Sequence, residues 1–462
     1  MSQPRLLTLA ALAALVALAL STAGCGRDGS GLASAPDVLL VTVDTLRADY
    51  LGAYGFAGET SPHFDALAAR SVVFERALAA SSRTAPSHAS IMTSLFVRQH
   101  ALGAGDGTTR LGDERTLAEY FREAGYATAA FVGNATLSRR SGLDRGFETY
   151  DDELPHAERN RPYRFERSGA ETSERALAWL TAQNGPSLLW VHLQDPHGPY
   201  TPPPPFDQTF NLEAQPGDHP LPVHESQSSF RGVPAYQALE GLVEPRQYRS
   251  RYAGEIRFAD ESLGKLLAAC EARAAARGVI ILVTGDHGES LGENERYFSH
   301  GFATTAEQSH VPLLLHAPEL APGRRSELVH HIDVLPTLLE LAGLPLPEEP
   351  RGVALGRVLR REQEMRKRIV YTDVGMAVSA YWGEQSDEIQ LDVQDGELMF
   401  KSWESYEWKA DGTREALPPD PAMRQQISAY LVRIKPMQIA PSSAEEEGEE
   451  PPALGHVESR DD

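Results

Sequence analysis

The chain is poor in cysteine. Its 462 residues include two, Cys25 and Cys270, so neither a disulfide framework nor a cysteine zinc knuckle is available to it. It is also short of basic charge. Lys and Arg number 43 against 65 Asp and Glu, a net charge of −22. A surface of that sign lacks the cationic surplus that neutralises phosphate backbones, which excludes nucleic acid as a broad partner. The N-terminal apolar run, Leu6–Leu20, falls short of the roughly 20 residues of a membrane-spanning helix. No internal repeat is found. What is present is an ordinary globular balance, 41% hydrophobic and 23% charged, which predicts a folded chain with a sizeable core.

The first residues read as an address. Arg5 precedes the apolar run, and Ser21, Thr22, Ala23 and Gly24 lead into Cys25. A basic start, a short apolar stretch and small residues describe a secretory signal over residues 1–24. The Ala23-Gly24-Cys25 sequence is similar to the lipobox of bacterial lipoproteins. That resemblance implies a lipidated Cys25, an exported protein, and membrane anchoring at the periplasmic face or cell surface. The alternative is a plain secretory signal with an incidental cysteine. Residues 25–36 are small and polar and read as a tether.

Beyond the tether, strands and helices alternate. Val38–Val43, Ala127–Val132, Ser187–Leu193, Val279–Thr284, Pro312–His316 and Ile369–Thr372 are continuous apolar or β-branched runs, the pattern of parallel strands buried on both faces. Helical patterns over Leu117–Ala124, Thr172–Thr181, Tyr252–Arg273 and Ile332–Leu341 separate them. The predicted fold is α/β, a mainly parallel sheet flanked by helices, occupying residues 37–350. Pro202–Glu244 is expected to be a long surface excursion that shapes specificity. Residues 351–438 form a small α+β C-terminal subdomain, with antiparallel strands over Ile389–Phe400 and an amphipathic helix over Met423–Ile434. Residues 439–462, rich in Glu, are expected to be a disordered acidic tail.

Ligands of a parallel sheet sit beyond the carboxyl ends of its strands. Three predicted strands end there in Asp44-Thr45, Asp195-Pro196-His197 and Asp286-His287. Each pair alone reads as a cap or a turn. Together they offer carboxylates and imidazole to a divalent cation. The hydroxyl-rich segment Ser82–Ser90 is followed by the helical run Ile91–Leu95, and Pro86 suits the first turn of that helix. A helix N-terminus there is an anion site, and a hydroxyl touching a metal becomes a nucleophile.

Asp37–Gly52, Ser61–Arg70, Thr84–His88, Ser187–Tyr200, Val283–Glu293, His300-Gly301 and His331–Gly343 follow one another in an order that resembles the sulfatase family of the alkaline-phosphatase superfamily. The resemblance implies that Asp44, Asp286 and His287 ligate a metal, with Thr84 at the nucleophile position and touching it. It implies that His197 and His300 contact the anionic group or the leaving oxygen. His88 stands where the family carries Arg and is expected to hydrogen-bond Thr84. Four departures stand out. Thr84 cannot become formylglycine, Thr45 replaces a second Asp, His287 replaces Asn, and Gly133–Leu137 lies where the family has Lys-x-x-His. The expectation is a hydrolase of sulfuric or phosphoric esters, acting on an anionic ester such as a glycan or lipid headgroup ester. It uses one divalent ion, Mn, Zn, Ca or Mg, with the histidine ligand favouring Mn or Zn over Ca.

Other readings remain open at this level. One is transfer of a phospho group to an acceptor, and another is a non-catalytic anion-binding lipoprotein of the same fold. Gly288-Glu289-Ser290-Leu291-Gly292 fits the nucleophile elbow of α/β-hydrolases, although Asp286 and His287 already occupy the turn. Asp195 is a candidate for a second metal. His192, His310 and Cys270 are expected to be structural.

Overall fold

The computed structural model describes residues 35–103, 109–394, 397–408 and 414–433. The signal, Cys25, most of the tether and the acidic tail lie outside them. In chain order the strands are β1 (Asp37–Val43), β2 (Val72–Leu78), β3 (Ala127–Val132), β4 (Thr149–Asp151), β5 (His156–Glu158), β6 (Arg161–Glu166), β7 (Ser187–Leu193), β8 (Val279–Gly285), β9 (Ser290–Leu291), β10 (Tyr297–Ser299), β11 (His310–His316), β12 (Gly323–His330), β13 (Val370–Asp373), β14 (Ala377–Trp382), β15 (Gln385–Gln394), β16 (Glu397–Trp408) and β17 (Arg414–Leu417).

Eight of these make the central sheet, in the order β12-β2-β11-β8-β1-β7-β3-β4. The pairs of β1 with β7 and β8, β3 with β7 and β4, and β12 with β2 are parallel. Strand β11 pairs antiparallel with both β8 and β2. This corrects the parallel reading of Pro312–His316: burial on both faces gives an apolar run whatever the strand direction. The Ile369–Thr372 run is also corrected. It is β13, the edge of a second, five-stranded antiparallel sheet in the order β13-β14-β15-β16-β17. The helix Pro421–Arg433 contributes Ile427 and Leu431 to the core under that sheet.

The central strands are apolar throughout because each face has its own core. Val38 and Leu40 of β1, Leu188 and Trp190 of β7, and Ile280 and Leu282 of β8 belong to one cluster. Leu39, Leu189 and Ile281, one residue along, belong to the other. That alternation is the period-two geometry of a strand. The long helix Pro245–Arg277 covers the second face through Ile256, Ala259, Leu263 and Leu266. The excursion from Pro202 to Glu244 has no long element, yet Leu221, Val233 and Leu239 pin it into this same core.

The site-bearing helix, Thr84–Thr93, is different. Nearly all of it is buried although half of it is polar. Its hydroxyls are satisfied internally: Ser87 Oγ donates to the Asp286 carbonyl, and Thr93 Oγ1 donates to the Ala89 carbonyl at 2.6 Å. His331 clamps the helix to β8. Its Nε2 donates to the Gly285 carbonyl at 3.0 Å and its Nδ1 lies 2.8 Å from Ser87 Oγ.

One buried ion pair ties the second sheet to the first domain core. Asp373 accepts from the Arg98 guanidinium and from the Gly375 amide, and Tyr430 leans on it. Removing one partner of such a pair leaves the other charged and dry. Asp373→Ala is expected to cost about 3–5 kcal/mol of stability, read from denaturant midpoints. Asp373→Asn, which keeps an acceptor, should cost less.

Candidate active site

The polar centre begins where the strand pattern changes. Thr42, His192 and Thr284 are in register across β1, β7 and β8. They continue the face that Leu40, Trp190 and Leu282 fill with apolar side chains. This polar row floors the site. Immediately beyond it, Asp44 follows β1 and Asp286 follows β8.

Thr45 makes the turn that joins them. Its φ is +55°, a left-handed conformation that costs a β-branched residue on the order of 1–3 kcal/mol. The turn aims its amide at Asp286 Oδ1, 3.1 Å away, while Tyr252 holds its carbonyl at 2.6 Å. Gly288 on the other side has no room for a side chain, since a Cβ there would stand 2.1 Å from the Glu307 carbonyl oxygen.

Asp44, Asp286 and His287 offer ligand atoms that all lie within 4.8 Å of one another, and all three residues are buried. His287 Nδ1 faces the Gly288 carbonyl at 3.0 Å, which makes Nδ1 the protonated nitrogen. Its bare Nε2 faces Asp44 Oδ1 at 3.8 Å, Asp286 Oδ2 at 3.7 Å and Thr84 Oγ1 at 3.3 Å. Asp44 Oδ1 and Asp286 Oδ2 are buried without a hydrogen-bond partner. Orphaned carboxylate oxygens around a bare imidazole nitrogen fit a divalent cation, and the donor set suits Mn or Zn chemistry.

The protonation equilibria say the same. Burial, and then the Asp44 charge, push the Asp286 carboxyl well above its usual range. Asp44 is raised by burial against the pull of His287. Burial and the neighbouring His300 lower His287 to about 3. Two carboxylates resisting ionisation beside a neutral imidazole mark a place short of positive charge.

Thr84 stands in the first turn of its helix and lines a narrow cleft together with His197, His300, Asn134, Arg161 and Arg164. The His300 ring is 4.5 Å from that of His287 and 5.2 Å from that of His197. His197 Nδ1 donates to the Gly198 carbonyl at 2.7 Å. His300 Nδ1 lies 3.3 Å from Glu289 Oε1. Burial holds both rings below the usual imidazole range, His300 at about 4.

His88 differs from expectation. It binds Thr84 through the main-chain carbonyl, at 2.7 Å from Nδ1, while Nε2 reaches Thr42 Oγ1 at 2.9 Å. A helix residue at i+4 points back along its own turn, so the ring meets the backbone of Thr84 and not its hydroxyl. His192 is buried, as expected, yet its Nε2 is 3.5 Å from Asp44 Oδ2. Asp195 stays out of the cluster and accepts from the Gly169 amide at 2.6 Å. His310 is structural, 2.9 Å from the Glu75 carbonyl.

A family model described as Sulfatase matches residues 36–344. The chain belongs to the sulfatase family. It is a sulfatase-family ester hydrolase. Iduronate 2-sulfatase of Mus musculus is 27% identical over 403 residues, covering 69% of this chain and 71% of the relative. The multifunctional alkaline phosphatase superfamily protein PehA of Trinickia caryophylli is 24% identical over 468 residues, 83% and 88% of the two chains. The phosphonate monoester hydrolase of Agrobacterium radiobacter superimposes with a TM-score of 0.63 at 18% identity, over 86% of this chain and 95% of that one.

Within this sulfatase-family frame three features escape motif reading. Asn134 Nδ2 donates to Asp44 Oδ2 at 2.8 Å, and its Oδ1 is taken by Thr136. The only sequence signal is that Asn134 lies where Lys-x-x-His is missing. The β5–β6 hairpin brings Arg161 and Arg164 over the cleft, with Glu158 paired to Arg161. Residues 152–166 have no periodicity that announces this. Glu289 backs His300 from within the Gly-x-Ser-x-Gly match. The serine of that match, Ser290, sits buried on β9 and accepts from Gln308 Nε2 at 2.7 Å.

Asn134→Ala is expected to lower ester-cleaving activity about 10–100-fold, the scale of loss when a residue that orients a site carboxylate is removed. Ser290→Ala is expected to leave kcat within a few-fold of the parent. Steady-state kinetics of both variants check this, and a large loss in Ser290→Ala alone would revive the elbow reading.

Proposed function

We propose that this protein cleaves sulfuric or phosphoric esters with Thr84 as nucleophile, at a site completed by one divalent cation held by Asp44, Asp286, His287 and Thr84. The observation that carries the reading is the position of Thr84. Its hydroxyl is 3.3 Å from the bare His287 Nε2, in the first turn of a ten-residue helix, lining the cleft. One relative is named a sulfatase and a structural neighbour a phosphonate monoester hydrolase, which supports attack at sulfur or at phosphorus.

The cation supplies positive charge that favours the alkoxide of Thr84 and the oxygens of the ester. The chain does the rest. Of the first helical turn, Pro86 has no N–H and the Ser87 N–H is bonded to the Arg83 carbonyl, so the amides of Thr84 and Ala85 are the ones that would face the non-bridging oxygens. Thr84 Oγ1 bonds to sulfur or phosphorus as the bond to the leaving oxygen breaks. That oxygen takes a proton at the edge of the cleft lined by His197 and His300, while the Thr84 hydroxyl gives up its own proton to water in the cleft. Water then hydrolyses the threonine ester, releasing sulfate or phosphate. Thr84 carries a methyl on Cβ, so no formylglycine takes part.

The test compares matched p-nitrophenyl sulfate, phosphate monoester and phosphate diester in Mn, Zn, Ca or Mg. At least one should turn over. Thr84→Ala should lower its kcat roughly a thousandfold or more, the scale of losing a covalent nucleophile. Thr84→Ser should retain activity. Acid quench of the parent should trap a sulfo or phospho group on the Thr84 peptide. Undiminished turnover in Thr84→Ala would assign the attack to water.

We also propose export and anchoring through Cys25, supported by Arg5, the apolar run and Ala23-Gly24 before it. Two or more acyl chains anchor stably where one does not. Cys25→Ala is expected to move the protein from the membrane to the soluble fraction on fractionation of an expressing bacterial cell.

A further inference from the structure

Arg83 precedes Thr84 in the chain, and no step of the ester chemistry uses its side chain. Its main chain opens the site-bearing helix, extended at φ −127° and ψ 141°, and its carbonyl accepts the Ser87 amide at 3.1 Å. The side chain turns to the loop that carries His300. Nε donates to the Gly301 carbonyl at 2.8 Å. The stem lies along Gly301, where a Cβ would stand 3.4 Å from Arg83 Cγ. Gly301 has φ +90°, a conformation that suits glycine. Ser82 ties down the same loop, its Oγ donating to the Ala303 carbonyl at 2.7 Å.

The guanidinium is thereby fixed at one edge and open at the other. Arg83 is exposed, and among the described residues no carboxylate pairs with it and the Gly301 bond is the one its side chain makes. The acid whose charge bears on it is Asp373. That carboxylate is already held by Arg98, the Gly375 amide and Tyr430. Arg161, by contrast, is answered by Glu158. An arginine side chain carries about 2 kcal/mol of rotamer entropy, and the Gly301 bond removes part of that freedom before any ligand arrives.

The place of this charge relative to the ester is set by its neighbours. Thr84 Oγ1 is 3.3 Å from His287 Nε2, and the His300 ring is 4.5 Å from that of His287. Arg83 follows the chain back from Thr84 and is bonded to the residue after His300. Its charge bears on the His300 ring itself. A group attached to the leaving oxygen, which His300 attends, lies beside this guanidinium. The chain as a whole, at −22, repels a substrate with two negative charges, so recognition of one needs a local cation.

We propose that Arg83 is a specificity-determining residue, whose Nη groups receive a second oxyanion carried on the leaving part of the ester. The substrate class is then an ester with two anionic groups, the sulfuric or phosphoric ester at Thr84 and a carboxylate, sulfate or phosphate on the alcohol side. Paired oxygens of such a group match the open edge of a guanidinium. The inference rests on the ester-cleaving reading of the site and names the substrate class for it.

The test measures binding without turnover, by calorimetry, to the full chain in Mn²⁺. The probes are the ortho, meta and para isomers of carboxybenzylphosphonate, each beside the neutral carboxamide of the same shape. A matching sulfonate and sulfonamide series tells a carboxylate from a sulfate as the second group. The best anionic isomer should bind the parent about tenfold tighter than its neutral twin, the scale of one charge-assisted contact. In Arg83→Gln that preference should disappear. Arg83→Lys, which keeps the charge without the fork, should retain only part of it, and it covers a Gln variant that does not fold. No preference for any anionic isomer in the parent, or no binding of any probe, would overturn the proposal. So would a preference that survives intact in Arg83→Gln, which would move the contact to Arg161 or Arg164. Ester turnover without this preference would refute the role of Arg83 alone. A preference that depends on Arg83, with no ester turned over in any metal, would leave the contact standing and refute the proposed ester cleavage.

Discussion

Two carboxylates that water does not reach face each other across one imidazole nitrogen. Asp44 and Asp286 are fully buried, and one oxygen of each has no hydrogen-bond donor. Carboxylates placed so are costly in isolation. Much of the surrounding structure exists to hold them there. The left-handed turn at Thr45 sends its amide to Asp286, and the glycine at 288 lets the Asp286 loop pack against the Glu307 main chain. Asn134 closes on Asp44 from the end of β3, two strands away. A divalent cation between the two carboxylates, as proposed above, would offset that cost.

The sheet provides the constraint that brings these groups together. Residues in register on adjacent parallel strands stay in register at their ends. Thr42, His192 and Thr284 form one row, and Asp44 and Asp286 follow it by two residues. The helix Thr84–Thr93 then has to lie over a polar floor. This explains why Ser87 and His88 are buried on it, each with a partner from the strands or from its own backbone.

Much of this was legible in the sequence, because continuous apolar runs mark two-faced burial and the residues ending them mark the site. Asp44, Asp286 and His287 cluster, Thr84 and His300 lie beside His287, and His197 lies beside His300. Strand direction was not legible. The run ending at His316 has the same composition as its parallel neighbours, and only pairing distinguishes it. Strand β2 was missed because Glu75 and Arg76 break its apolar pattern near the sheet's edge. The roles of Asn134, His192 and Glu289 were hidden for a different reason. A polar residue inside a strand, or in a loop without periodicity, carries no signal of what it faces.

Strand β1 gives the molecule a top and a bottom. Its amino end, at Asp37, is where the chain arrives from Ala35, and its carboxyl end opens into the cleft. The two ends are roughly 23 Å apart at the usual rise of a strand. Any attachment made through the residues before Ala35 therefore grips the protein by its base. The mouth, the paired arginines of the hairpin and the exposed rings of Tyr163 and Phe165 look the other way. With the anchor proposed at Cys25 in place, the described chain would begin at the end of β1 opposite the cleft, so that the site opens on the far side of the sheet from the attachment.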